Sequence, residues 1–258
     1  MMRQRSLRVV QRDESLLPRL QTLQAEPPFW GYRRVWAYLR FGEQLPANTK
    51  RMWRLMRAHR LLVPPNLRLK AKRTPSGRQP KPTQPTQWWG IEMTKVLVEG
   101  GGWISIVGVV DWSTKAVVGD HVGLQCTAMH WLEALDTAVN RQFPQGARGQ
   151  GVSLMRDNGC QPTSPAFMQA CTSLELHQAF TSDNNPKGKA ETERFLRTLQ
   201  EECLWPQEWT CPLALREALS NWIKWENEHA LHSALGDKAP RQFEREYHLS
   251  HGTQLPAA

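Results

Sequence analysis

The 258-residue chain has no apolar run of 18 residues or more, the length a helix needs to cross a bilayer, so no membrane-spanning helix is expected. Its basic start, MMRQRSLRVVQRDES, has no apolar stretch behind it, which argues against a secretory signal. The cysteines (Cys126, Cys160, Cys171, Cys203 and Cys211) are odd in number and contain no CxxC pair. Neither a disulfide framework nor a zinc site fits them, and a reducing cytoplasm does. His121, His130, His229 and His232 show no metal-ligand spacing, and core or surface roles suit them better. The first third is also short of acids. Residues 1–90 hold 19 Lys and Arg against four acids (Asp13, Glu14, Glu26, Glu43), a net of +15, whereas residues 91–258 carry a net of −6. A basic front on an acidic remainder points to a polyanion partner, although a merely solvated basic arm has the same composition. With 40% hydrophobic and 9% aromatic residues the chain can bury a core, which excludes a disordered protein. Its length suits one medium domain and a small one.

The basic part reads as helical. Leu16, Leu17, Leu20 and Leu23 recur at helical spacing, and Pro27–Pro28 then breaks the pattern. The segment GYRRVWAYLRF, residues 31–41, repeats apolar positions at Tyr32, Val35, Trp36 and Leu39, with Arg33, Arg34 and Arg40 between them. Asn48 or Thr49 can cap a helix over about 49–61 that buries Met52, Leu55 and Met56, with Trp53 a further candidate. Its outer face would carry Lys50, Arg51, Arg54, Arg57 and Arg60. Two short helices with a tight break and a basic face suggest a helix-turn-helix, though basic amphipathic helices are common. Residues 63–87 hold six prolines and six Lys/Arg, an extended basic linker that tracks phosphates or only spaces domains.

From Trp88 the periodicity changes. Met93–Val98 and Trp103–Val110 read as a hairpin across residues 99–102, and Lys115–Val122 offers a third strand. A helix is expected over Thr127–Phe143, a strand over Val152–Arg156, a helix over Pro165–Ser173 and a strand over Leu174–Phe180. After the polar loop Thr181–Gly188, helices follow over Lys189–Leu204 and Leu213–His229. The predicted class is α/β, a mixed sheet opened by a hairpin with flanking helices. The pair Trp88–Trp89 suits packing beneath the sheet better than stacking on a base.

Three acids stand where chemistry is plausible. Glu92 lies near the start of the first strand, Asp157 follows a later strand, and Glu193 lies early in the helix after the 181–188 loop. Sixty-four residues separate the first two and 35 the last two. Converging at a sheet edge, such carboxylates suit Mg²⁺ or Mn²⁺. Two ions about 3.5–4 Å apart serve phosphoryl transfer. Singly, each has a plainer meaning. Asp157-Asn158-Gly159 reads as a turn, Glu193 as a solvated helix residue, and Glu92 as a partner for Lys95 or a linker arginine. Glu191 and Glu193 face different sides of one helix, so only one of them fits the site.

The residues that follow carry a resemblance along nearly the whole chain: PFWGYRRVWAYLR at 28–40, NLRLKAKRTPSG at 66–77, WWGIEMTKV at 88–96, DNGCQPTSPAF at 157–167, NNPKGKAETERFLRTLQEE at 184–202 and HSALGDKAPRQFE at 232–244. The chain resembles the second-frame (OrfB) transposases of bacterial insertion sequences, which have a retroviral-integrase-type DDE catalytic core. The resemblance implies a helix-turn-helix segment at 1–62, the linker at 63–87, a ribonuclease-H-like core with C-terminal helices at 88–248, and a tail at 249–258.

It implies a DNA transposase that cleaves phosphodiesters and transfers strands at insertion-sequence ends, with Glu92, Asp157 and Glu193 as catalytic metal ligands. The family's last two acids are also 35 residues apart. The implied cofactor is Mg²⁺, with Mn²⁺ as substitute, as two ions. The implied DNA contacts are Arg33, Arg34, Lys50, Arg51, Arg54, Lys70, Lys72, Arg73, Lys187 and Lys189. The implied partners are double-stranded DNA (element ends and target), further copies of this chain on that DNA, and a first-frame product fused by frameshifting. The implied location is the bacterial cytoplasm, at the nucleoid. A general ribonuclease-H-like nuclease would share the acids but not the N-terminal helices.

Four departures favour a different outcome. The family has Asp at the position of Glu92. The added methylene moves the carboxylate by roughly an ångström, where catalytic constellations tolerate about 0.5 Å. Asp183, Glu226 and Asp237 stand where family tyrosines are usual, which removes apolar burial and adds charge. The alternative is therefore a catalytically impaired copy acting only as a DNA-binding protein.

Overall fold

The computed structural model describes residues 7–25, 30–63, 80–157, 161–180 and 190–252. The expected Pro27–Pro28 break, most of the linker and the 181–188 loop lie outside them, as do Lys70, Lys72, Arg73, Asp183, Lys187 and Lys189. The chain divides into two compact units. One is Met1–Lys72 with Leu231–Asp237, and the other is Arg73–Ala230 with Lys238–Ala258.

In the first unit, α1 (Leu7–Ala25), α2 (Tyr32–Ala37) and α3 (Thr49–Ala58) bury Leu16, Leu20, Leu23, Val35, Leu39, Met52, Leu55 and Met56. These are largely the apolar positions that helical spacing selects. The second helix ends in a π-helical turn, Tyr38–Gly42. The Asn48 side chain caps α3 by accepting from the Arg51 N–H at 2.8 Å. Trp53 does not join the core: it is 39% exposed, on the outer side of α3.

The second unit is built on a five-stranded sheet of order β3-β2-β1-β4-β5. Its strands are β1 (Trp88–Val98), β2 (Gly102–Asp111), β3 (Val117–Gly123), β4 (Ser153–Arg156) and β5 (His177–Phe180). The first three form an antiparallel meander, whereas β4 lies parallel to β1 and β5 parallel to β4. Helices α4 (Ala128–Gln142) and α5 (Pro165–Ser173) cover one face, burying Trp131, Leu135, Val139 and Phe167 against Trp89, Ile91, Val107 and Leu154. On the other face, α6 (Ala190–Leu199), a π-helical turn (Gln200–Leu204) and α7 (Pro212–His229) bury Phe195, Leu199, Leu215 and Leu219 against Val96, Ile104, Ile106 and Met155. A last helix, α8 (Pro240–His251), packs on α7. The order of elements is the one the sequence predicts. Trp88 and Trp89 are packing residues: Trp89 is buried against Phe143, and Trp88 stacks on Trp112 with ring centroids 5.8 Å apart.

Candidate active site and nucleic-acid interface

Alternation along β1 sends Trp89 and Ile91 to the α4–α5 face and Gly90, Glu92 and Thr94 to the α6 face. In β4, Leu154 faces α4 and α5 while Met155 faces α6. The parallel register pairs Gly90 with Met155. The ladder ends with that pair; Glu92 lies two residues further along β1, and Asp157 directly follows β4. Both are half-buried.

Helix α6 is seated by two glycines. A Cβ at Gly90 would stand 1.9 Å from the Thr192 hydroxyl oxygen, and one at Gly108 would stand 2.7 Å from the Phe195 ring. Thr192, Phe195, Leu196 and Leu199 form the buried stripe, which leaves Glu193 on the exposed flank. Lys115 donates to Glu191 at 2.9 Å, while Glu193 is exposed.

Among the described residues, no group of three or more His, Cys, Asp or Glu is close enough together to hold a metal ion. Glu92 lies on the α6 face of β1, Asp157 follows the end of β4, and Glu193 is exposed on α6. In kind, the donors fit a hard divalent cation, because all three are carboxylates.

One neighbour is not visible in the sequence. Arg156, immediately before Asp157, is fully buried. It donates to Gln178 Oε1 at 2.6 Å and to the Pro162 carbonyl, with its guanidinium 4.1 Å from the Phe180 ring centroid. It ties the end of β4 to the 161–164 turn and to β5, fixing the strand from which Asp157 emerges. Burial pulls its pKa below the arginine range, with the charge of Asp157 among the influences opposing that shift. An arginine at a strand end ordinarily reads as exposed, so only the packing reveals it.

Cys126, Cys171, Cys203 and Cys211 are free, and burial pushes the Cys171 thiol up to about 11 and that of Cys203 to about 12. His121 and His130 stack on each other at 4.8 Å, and His121 Nδ1 lies 2.7 Å from Glu133. Glu226 is buried on α7, and Asp237 has a left-handed backbone, φ 61°, in the turn before α8.

In the first unit the basic residues divide. Arg51 and Arg54 both donate to Asp13 of α1, at 2.8 and 2.7 Å. Arg51 is only 17% exposed, so the fully solvated basic face expected of α3 is reduced at these two positions. Lys50, Trp53 and Arg57 are exposed, with the Arg57 guanidinium 5.0 Å from the Trp53 ring centroid. Arg33 is exposed beside Tyr32, and half-buried Arg34 lies over Trp30. An open cleft of about 780 Å³ is lined by residues including Asp13, Tyr32, Lys50, Arg51, Trp53 and Arg54. Sequence reading placed Arg57 on the exposed face, as found, but missed Asp13 as the partner of Arg51 and Arg54.

Residues 11–68 match the HTH-like domain family, and residues 174–240 match the integrase core domain family. The chain carries both an HTH-like domain and an integrase core domain. Glu193 falls within the integrase-core match, whereas Glu92 and Asp157 precede it. The transposase InsD for insertion element IS2A/D/F/H/I/K of Escherichia coli is 26% identical over 260 residues, covering 91% of this chain and 79% of its own length. The InsD transposase of the IS2 element on the F plasmid of Escherichia coli K12 matches to the same extent. The chain is thus a homologue of insertion-element transposases. Its fold is that of the retroviral integrase core. A chain of the simian T-cell lymphotropic virus intasome superposes with a TM-score of 0.57 at 18% identity, covering 86% of this chain and 77% of that one. The catalytic core domain of BIV integrase gives 0.50, also at 18% identity, covering 65% of this chain and 99% of its own. No helix among the described residues is long and apolar enough to cross a membrane.

Proposed function

We propose that the chain is a DNA transposase, a metal-dependent polynucleotidyl transferase that cleaves the backbone at insertion-sequence ends and joins the freed 3′ ends to target DNA. The observation that carries this reading is the β1–β4 register. It makes β1, which carries Glu92, and β4, which Asp157 follows, neighbours in the sheet, with Glu193 on the helix that covers Gly90 and Met155, in a homologue of insertion-element transposases. Residues 1–62 would bind DNA, 63–87 would link, and 88–248, followed by a tail, would catalyse. Asp157 would be the central carboxylate, with Glu92 and Glu193 completing the set that holds Mg²⁺ or Mn²⁺ as two ions. Bound there, the ions would lower the pKa of the attacking hydroxyl and offset charge on the phosphate. Lys50, Arg33 and Arg34, with Lys70, Lys72, Arg73, Lys187 and Lys189, would neutralise phosphates. Arg51 and Arg54 would do so only after leaving Asp13. Joining two element ends calls for further copies of the chain, with a first-frame product as an added partner. The work would be done on the bacterial chromosome, in the cytoplasm.

A second reading has its own support. No described group of three acids is close enough to hold a metal, and the family resemblance implies Asp, one methylene shorter, where Glu92 stands. A copy impaired in cleavage would then act by occupying element ends.

The test is cleavage of a labelled duplex bearing an end of its own element, in Mg²⁺ and in Mn²⁺, beside Glu92→Asp and Asp157→Ala. Cleavage by the native chain but not by Asp157→Ala supports an active transposase. Cleavage by Glu92→Asp alone supports the impaired copy. Cleavage undiminished in Asp157→Ala would overturn the site.

A further inference from the structure

The two residues before Glu193 are held by a single turn. Trp112 Nε1 donates to Thr192 Oγ1 at 2.9 Å in a buried hydrogen bond. Lys115 Nζ donates to Glu191 at 2.9 Å and to the Trp112 carbonyl at 2.6 Å. Both donors lie in the turn that leaves β2. The turn is itself rigid. The Asp111 carboxylate accepts from the Ser113 and Thr114 N–H groups at 2.7 and 3.0 Å, and the Lys115 N–H closes on the Asp111 carbonyl at 2.8 Å. Lys115 has a left-handed backbone, φ 63°, a conformation a non-glycine residue keeps only where its surroundings hold it. The Trp112 ring is fixed by stacking on Trp88.

Three degrees of freedom of the start of α6 are therefore set from outside the helix. Gly90 sets its depth on the sheet, Trp112 sets its rotation through Thr192, and Lys115 sets its N-terminal end through Glu191. Lys115 also neutralises the one acid beside Glu193 that would compete with it for a cation.

We propose that Trp112 and Lys115 are positioning residues for Glu193, holding α6 so that this carboxylate, and not Glu191, serves the divalent-metal site at the Glu92–Asp157 edge. The proposal rests on the transposase reading, because it takes Glu193 as a metal ligand. Trp112→Phe keeps the ring and removes the donor. Lys115→Met keeps the stem and removes the charge. Lys115→Arg is the conservative control.

Each variant is made in the native chain and in Glu92→Asp. Each is measured for metal-free melting temperature, the rise in melting temperature with Mg²⁺, affinity for element-end DNA, and the Mg²⁺ concentration giving half-maximal cleavage. Trp112→Phe and Lys115→Met should raise the Mg²⁺ requirement by up to roughly tenfold, the low end of the cost of removing a ligand's own partner, since both act on Glu193 through its neighbours. The thermal response to Mg²⁺ should weaken in parallel, DNA affinity should hold, and Lys115→Arg should restore most of the response. A lower metal-free melting temperature with an unchanged Mg²⁺ requirement would reduce the turn to a structural role and overturn the proposal. If neither background responds to Mg²⁺ in cleavage or melting, the metal-site reading itself falls, and the proposal with it.

Discussion

Arg51 donates to Asp13 over 2.8 Å, from α3 to α1, and Arg54 joins the same carboxylate. One acid thus occupies two of the cations that the sequence offers to DNA. A guanidinium held this way makes no phosphate contact unless it first leaves Asp13. Lys50 and Arg57, by contrast, stand exposed around Trp53. Arg51→Ala should therefore leave the slope of log affinity against log salt nearly unchanged while lowering stability by about 1–2 kcal/mol, the range for a half-buried ion pair. Lys50→Ala should reduce the slope by about one. Asp13→Asn should release both arginines and steepen the slope. DNA titrations at several salt concentrations, beside thermal melts, check all three. A slope that falls equally in Arg51→Ala and Lys50→Ala would show that DNA draws Arg51 away from Asp13.

Gly90 and Thr192 are 102 positions apart in sequence and nearly touch in space. A Cβ at Gly90 would meet the Thr192 hydroxyl at 1.9 Å and the Trp112 indole nitrogen at 2.5 Å. Both atoms belong to one buried hydrogen bond, so neither can move away without breaking it. Gly90→Ala should destabilise the chain by about 1–3 kcal/mol, as overpacking does. At this chain length that lowers the melting temperature by roughly 3–12 °C. Adding Thr192→Ala removes the nearest atom and should recover part of the loss. Melting curves of the single and double variants test this, and strictly additive effects would contradict a shared contact.

The elements were legible because periodicity is local. The Leu16–Leu20–Leu23 stripe, the β1–β2 hairpin and the α5 limits all follow from residues a few positions apart. What the sequence hid depends on distant partners. Arg51 and Arg54 share a helical face and read as solvated, because the acid that takes them is 38 and 41 positions upstream. Arg156 reads as a strand end and is a buried cation under two aromatic rings. Trp53 stood between core and surface because its neighbours on the helix are both apolar and basic. Helix α8 was foreseen only as part of a C-terminal helical region. The parallel pairing of β1 with β4 joins the strand of Glu92 to the strand that precedes Asp157, and no local pattern announces it.

Asp111 connects the turn of Trp112 and Lys115 to the solution pH. Its carboxylate is buried and accepts the Thr86, Ser113 and Thr114 N–H groups, and burial outweighs these bonds, raising its pKa from 3.8 to about 6. The folded chain therefore holds this proton more tightly than the unfolded chain does. The stabilisation from that proton is complete below pH about 4 and is lost as the pH rises through about 6. A shift of this size corresponds to at most about 3 kcal/mol. Asp111→Asn does not titrate, and its amide gives up part of the acceptor set, so the variant should be less stable overall but flatter with pH. Unfolding free energies measured by denaturant titration between pH 4 and 6.5 should show the native chain losing stability relative to Asp111→Asn as pH rises. If the native chain instead gained stability over the variant across that window, the three N–H bonds would outweigh burial, and the pKa of Asp111 would lie below 3.8.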